Sequence, residues 1–326
     1  EDVLEVVDSR LLHVSGVHGV VDVFHVIEVA YPHQHGCLVS VLVGAHTLRN
    51  WRHALRITRP TRTFITEPFD ERDAMDQYDH LDVSLDDDVL TIAIDRPDNL
   101  NAVNDPLHAE LSEVFGEAYE TDARVVVLTG NGDAFSAGGD VNWMQRNIED
   151  PENFHKTMRE GEQIIEDIVN LEKPVIAKVN GDATGLGATL ALFCDIVMMS
   201  EDARIGDPHV KVALVAGDGG AVIWPLLTSL NKAKELLMTG DLVTAEEAKE
   251  LGLANHVVPA DELDERTDEM VDKLASGPQT AIRYTKKTLN SWLQLGNNLA
   301  LTKGIALEGV GQQHPDHEEA VDAFLE

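Results

Sequence analysis

The chain has 326 residues and a formal net charge of −33, with 43% hydrophobic and 5% aromatic residues. So negative a surface repels phosphates, which argues against nucleic acids and anionic membranes as partners, and the long apolar stretches after Val125 exclude an acidic disordered chain. Dense surface carboxylates whose repulsion is screened by ions fit a halophilic soluble protein.

The acidity is uneven. Residues 1–74 hold 10 Asp and Glu, 7 Arg and no Lys, whereas the rest of the chain holds 48 acidic and 18 basic residues. We therefore expect 1–74 to be a non-native or disordered extension, with 75–265 forming a core and 266–326 a C-terminal helical region. The competing reading is a small extra domain, in which Val17–Val29 and Leu38–Val43 supply strands. Seven of the 14 His lie in this segment (His13, His18, His25, His33, His35, His46, His53), but their spacing fits no metal-ligand pattern. Cys37 and Cys194 give neither a disulfide framework nor a metal site, so no metal is expected. No uncharged run reaches the roughly 18 residues of a membrane span. The first residues lack a basic leader, and a cytoplasmic location is expected by default.

From residue 81 the elements follow in order. Leu81–Asp95 alternates about Asp86-Asp87-Asp88 and predicts a β-hairpin. Asp105–Tyr119 has helical periodicity, with Asp105 as N-cap and Pro106 at the first helical position. Arg124–Thr129 reads as a buried strand, and Gly130-Asn131-Gly132-Asp133 as a turn. A long amphipathic helix is expected over Asn153–Leu171, buried strands over 174–179 and 196–200, and a helix over 188–194 between them. Helices dominate after Trp224. Strands alternating with helices indicate an α/β fold.

Two turns carry chemistry. Ala137-Gly138-Gly139-Asp140 follows a strand and precedes a helical stretch, and its paired glycines let a backbone N–H approach a ligand. Gly185-Leu186-Gly187 opens the next helix, whose first N–H groups are free and whose dipole is positive there. Two such turns at the ends of neighbouring strands can form an oxyanion hole. Each alone fits phosphate binding or a tight turn equally well.

Together with Arg96-Pro97…Leu100-Asn101-Ala102, Val127-Leu128-Thr129-Gly130, Lys173-Pro174-Val175-Ile176-Ala177, Cys194-Asp195, Thr239-Gly240-Asp241 and Val257-Val258-Pro259, these turns resemble the crotonase (enoyl-CoA hydratase/isomerase) family from about residue 80 to 324. The resemblance implies a crotonase-like (ββα) coiled core with a C-terminal helical trimerisation region, and a homotrimer or hexamer. It also implies an acyl-CoA substrate, coenzyme A being part of that substrate and no separate cofactor being needed. Gly139 and Leu186 would be the oxyanion donors. Ala102 and Ala137 would lie by the adenine, with Gly138, Asp140, Gly185 and Thr189 also lining the substrate site. The Thr280–Trp292 segment looks like a helix covering the site, its Arg283, Lys286 and Lys287 either meeting CoA phosphates or forming a solvated face.

The pattern breaks at the acid–base groups. Family hydratases use two glutamates, whose aligned positions here are Thr189 and His209. In their place His209 stands nine residues before Asp218, and an imidazole oriented by a carboxylate is a competent base. Asp207 is a weaker candidate on the same loop. Otherwise His209 is a turn residue and Asp218 an N-cap. Glu113 and Asp140 are assigned to the helix surface and to capping. The first expectation is an enoyl-CoA hydratase-like lyase. The alternatives are a hydrolase of C–C bonds in 1,3-dicarbonyls or of CoA thioesters, an isomerase, and a non-catalytic acyl-CoA-binding protein.

Overall fold

The computed structural model describes residues 5–15, 21–30 and 38–44 as backbone, and 78–325. The chain divides into two units, Glu1–Glu67 and Pro68–Glu326. In the first, β1 (Glu5–Ser15), β2 (Val21–Ala30) and β3 (Leu38–Gly44) form an antiparallel sheet in sequential order. The side chains of its clustered histidines lie outside the described residues.

The second unit opens with the expected hairpin, β4 (Leu81–Asp86) and β5 (Val89–Ile94), paired antiparallel about Asp87 at φ 49°. Helix α1 (Asp105–Glu120) follows. Its N-cap is Asn104, one residue before the expected Asp105, because the Asn104 side chain accepts the Leu107 N–H at 3.1 Å. Pro106 still occupies the first turn, where a missing N–H costs nothing. Strand β6 (Val125–Gly130) is buried throughout, and β7 (Ala134–Ser136) leads to α2 (Val141–Glu149) and α3 (Pro151–Asn170). Next come β8 (Val175–Val179), β9 (Asp182–Thr184), the fully buried α4 (Leu186–Phe193), β10 (Ile196–Ser200) and β11 (Arg204–Gly206).

Beyond a short 3-10 turn at His209–Val212 the chain is mainly helical: α5 (Gly220–Leu227), α6 (Leu230–Thr239), β12 (Val243–Thr244), α7 (Ala245–Leu251), β13 (His256–Val258), α8 (Leu263–Ala275) and α9 (Gln279–Gly296). A π-helical turn, Asn297–Leu301, joins α9 to α10 (Thr302–Gln312), and α11 (Pro315–Leu325) ends the described chain.

The main sheet has the order β13-β10-β8-β6-β5-β4 and is parallel except for the β4–β5 edge. A second sheet, β12-β11-β9-β7, pairs the short strands. Parallel strands buried on both faces explain the unbroken apolar runs such as Val125–Leu128. The large core joins α1, α3 and α4 to the main sheet through Leu107, Leu111, Phe115, Ile164 and Ile168. Strands β7 and β9 pair in parallel, and the two glycine-bearing turns follow them, so both turns leave the second sheet at one end. Among the described residues, no helix is long and apolar enough to cross a membrane.

Candidate active site

The turn after β7 is fixed by its neighbours. Ala137 N–H donates to Leu100 O at 2.9 Å, Val103 N–H to Gly138 O at 2.7 Å and Asp140 N–H to Val103 O at 2.8 Å. These bonds leave the Gly139 N–H without a backbone partner among the described residues. Gly138 sits at φ +79°, and a Cβ there would lie 2.7 Å from Thr184 O, so only glycine lets the two turns meet. On the other side Gly185 caps α4 at φ 55°. Leu186, as the first helical residue, has no intrahelical acceptor for its N–H. Gly139 and Leu186 line one cavity of about 80 Å³ together with His209, Asp218 and Glu308.

Arg96 braces this end. Its guanidinium donates to Ala102 O and lies 3.5 Å from Asp140 Oδ2, while Asp140 caps α2 by accepting the Asn142 N–H at 3.0 Å. Ala102, Ala137, Gly138, Asp140, Gly185 and Thr189 stand outside the cavity lining, and the first five shape the turns that present Gly139 and Leu186. Glu113 is likewise outside the lining, on α1.

The structure brings His209 and Asp218 together, with His209 Nε2 3.6 Å from Asp218 Oδ2. The residue that holds the ring, however, is Asp207: its carboxylate accepts from His209 Nδ1 and, at 3.3 Å, from the His209 backbone N–H. Asp207 is fully buried, and its second oxygen has no partner among the described residues. Gly220 allows that burial, since a Cβ there would lie 2.2 Å from Asp207 Oδ2. Asp218 does not cap α5, where Gly219 is the N-cap; it accepts the Thr189 hydroxyl at 3.3 Å. Thr189 thus holds the Asp218 carboxylate from the buried helix α4. The Gly185 turn packs beside this cluster, since a Cβ on Gly185 would lie 3.7 Å from His209 Cε1.

Glu308, on α10, is a further member that carries no sequence motif. Burial and the carboxylates of Asp218 and Asp207 push its carboxyl up to about 8, against the pull of His209. Burial alone would lower the His209 imidazole, but Asp207 and Asp218 hold it well above its ordinary value. Burial also raises Asp218, opposed by His209 and reinforced by Asp207. The cluster is a set of groups that share protons and titrate together. Asp207, His209 and Asp218 also bring one ligand atom each within 4.8 Å of one another, but the direct Nδ1–carboxylate bond suits proton handling better than three-ligand metal binding.

The segment Thr280–Trp292, expected to cover the site, does not line this cavity. It lies on α9 along a separate apolar groove of about 900 Å³ with Cys194, Asp195 and Leu226. Lys286 is buried there, 2.7 Å from Asp195 Oδ2 and donating to Lys173 O at 2.8 Å, while Lys287 pairs with Glu172 and Arg283 donates to Ala123 O. These basic side chains are committed to the protein itself. The helix that does wall the cavity is α10, through Ile305, Glu308 and Gln312.

A model of the enoyl-CoA hydratase/isomerase family matches residues 85–326. The chain belongs to that family. It is 35% identical over 242 residues to the short-chain-enoyl-CoA hydratase of Clostridium acetobutylicum, covering 73% of this chain and 91% of that one. Among solved structures, an enoyl-CoA hydratase/isomerase from Mycobacterium paratuberculosis shares 39% identity at a TM-score of 0.73, over 75% and 98% of the two chains. A β-diketone hydrolase from the cyanobacterium Anabaena, bound to (S)-3-oxocyclohexyl acetic acid, shares 32% identity at a TM-score of 0.68, over 72% and 95%. The crotonase-like α/β fold with its helical C-terminal region is thereby that of the family.

Proposed function

We propose that this family member hydrolyses a carbon–carbon bond between two carbonyls. The observation that carries this reading is the Asp207–His209–Asp218 cluster, which faces the two free backbone N–H groups across one cavity while the usual glutamate pair is replaced. The cluster takes a proton from water, and the resulting hydroxide adds to one carbonyl carbon. Collapse of the adduct breaks the bond to the central carbon. The electron pair moves to the second carbonyl as an enolate, whose oxygen rests on the N–H groups of Gly139 and Leu186. Glu308, protonated below about pH 8, returns a proton to the central carbon, giving a carboxylic acid and a ketone. The likeness to a β-diketone hydrolase supports this reading.

The second reading is enoyl-CoA hydration, supported by the Clostridium relative. There the cluster would activate the water and the same N–H groups would hold a thioester enolate, with coenzyme A as part of the substrate. A pH-stat with 2,2-dimethylcyclohexane-1,3-dione, run beside crotonyl-CoA absorbance, separates the two. Acid release with flat crotonyl-CoA is the expected result. Fast crotonyl-CoA hydration without acid release would replace the first reading by the second. We further take the exposed apolar residues of the α9 groove, Leu289 and Trp292, as a self-association face of a homotrimer, to be checked by light scattering.

A further inference from the structure

A second histidine–carboxylate pair faces the same cavity, and the mechanism above does not use it. His108, on α1, is 3% exposed and lines the cavity. Its Nδ1 lies 2.8 Å from Glu160 Oε2, and Lys156 Nζ lies 3.2 Å from the other Glu160 oxygen. Burial would raise the Glu160 carboxyl, but His108 and Lys156 bring it below its ordinary value, so it is a carboxylate. An acceptor at Nδ1 places the imidazole proton there and leaves the lone pair on Nε2. Nε2 has no partner among the described residues. Its surroundings are apolar: Trp143, whose ring centroid is 5.0 Å away, with Met144, Phe154 and Met158 also in the lining.

Gln312 lines the cavity too, is 5% exposed, and its Nε2 amide has no partner. Beyond the N–H groups of Gly139 and Leu186 and the Asp218 carboxylate, the cavity wall therefore offers a spare acceptor at His108 and a spare donor at Gln312. A hydroxyl is the group that donates once and accepts as well. A carbonyl would leave the His108 lone pair unmet, and a carboxylate would add an anion near Glu160. An ammonium would have too few acceptors. We propose that His108 and Gln312 form a hydroxyl-binding subsite, so that the cavity takes ligands carrying an O–H beside the reacting carbonyl. Two sources share that chemistry: a hydroxyacyl group and the enol of a 1,3-dicarbonyl. The proposal rests on the preceding reading only in taking this cavity as the substrate's.

Calorimetry on the full chain at neutral pH tests it with two matched pairs, 3-hydroxybutyryl-CoA against butyryl-CoA, and pentane-2,4-dione, which is un-ionised there and partly enolic, against its 3,3-dimethyl derivative, which cannot form that enol. The hydroxyl-bearing member of one pair should bind about tenfold more tightly, the worth of one net hydrogen bond, and the pair that shows it identifies the source. His108→Phe should erase the preference. Gly161→Ala guards against misfolding: it lies inside α3, where alanine is the better helix former. Its added Cβ would sit 3.9 Å from His108 Nε2, with no other contact closer, and should cut the preference several-fold with His108 intact. Equal binding within both pairs, no binding of any probe, or a preference that survives both variants would overturn the proposal. Because affinity is read without turnover, a failure to hydrolyse diones would reject the hydrolase reading and leave this result standing.

Discussion

The two ends of the cavity are made of different material. The proposed oxyanion end is backbone: Gly139 and Leu186 contribute N–H groups whose direction is set by the sheet, by Gly138 at φ +79° and by the start of α4. The acid–base end is side chains from the loop after β11, from the residues before α5, and from α10: Asp207, His209, Asp218 and Glu308. Backbone donors keep their role while side chains change, so one end can stay constant while the chemistry at the other is exchanged. On the reading proposed above, the exchange runs from a glutamate pair to a histidine between two carboxylates, with Thr189 holding Asp218 by a hydrogen bond.

The comparison is broken most severely at its side-chain end. His209→Ala should lower kcat by about 10³-fold, within the range for a general acid–base group, with the circular dichroism unchanged. A residual loss under tenfold would return His209 to a turn residue. At the backbone end Gly138→Ala forces an L-residue to positive φ, with its Cβ 2.7 Å from Thr184 O. We expect about a 10²-fold fall in kcat, the loss of one oxyanion donor's geometry, and about 1–2 kcal/mol of destabilisation by urea titration.

Glu308→Gln gives a smaller, pH-dependent effect. Glu308 holds its proton up to about pH 8, so wild-type kcat should fall as pH rises through that value, and the variant, about tenfold slower at its optimum, should lose that limb. The stability consequence has a definite sign. The folded carboxyl binds its proton more tightly than the unfolded one, so its contribution is complete below the unfolded pKa and is lost as pH rises through about 8. The Tm of Glu308→Gln should therefore fall less than that of wild type between pH 5 and pH 9. Least affected in activity is Lys286→Met, remote from the cavity. It leaves the exposed Asp195 without its ion-pair partner and should cost about 1–3 kcal/mol in chemical denaturation, with kcat within about twofold of wild type. A large kcat loss there would make α9 part of the site after all.

The backbone end was legible in the sequence because its signals are local. Paired glycines after a buried Val-rich strand, and a glycine opening an apolar helix, need no distant information. The same holds for the β4–β5 hairpin and for β10, whose bounds coincide with those expected. The N-cap is Asn104 and not Asp105, a difference the sequence does not show because Asp105-Pro106 satisfies the same local rule one residue later. The side-chain end depends on tertiary placement. His209 and Asp218 share a loop region and could be paired by spacing, but which carboxylate takes Nδ1 depends on the turn geometry at Pro208. Glu308 lies far along the chain in a helix of ordinary composition, and only the packing of α10 brings it to the cluster. For the same reason the sequence points to α9 as the covering helix, since nothing in it shows that Lys286 is buried against Asp195.

The position of α10 gives the chain an order of completion. A polypeptide emerging from the ribosome as far as residue 300 already carries both glycine turns, the main sheet and His209, but no Glu308 or Gln312. The proposed acid–base cluster is thus closed only once α10 has packed, and a chain cut ahead of α10 would keep the sheet while lacking Glu308. Limited proteolysis that clips ahead of α10 should extinguish turnover before it collapses the sheet, so that catalysis and folding depend on different lengths of this chain.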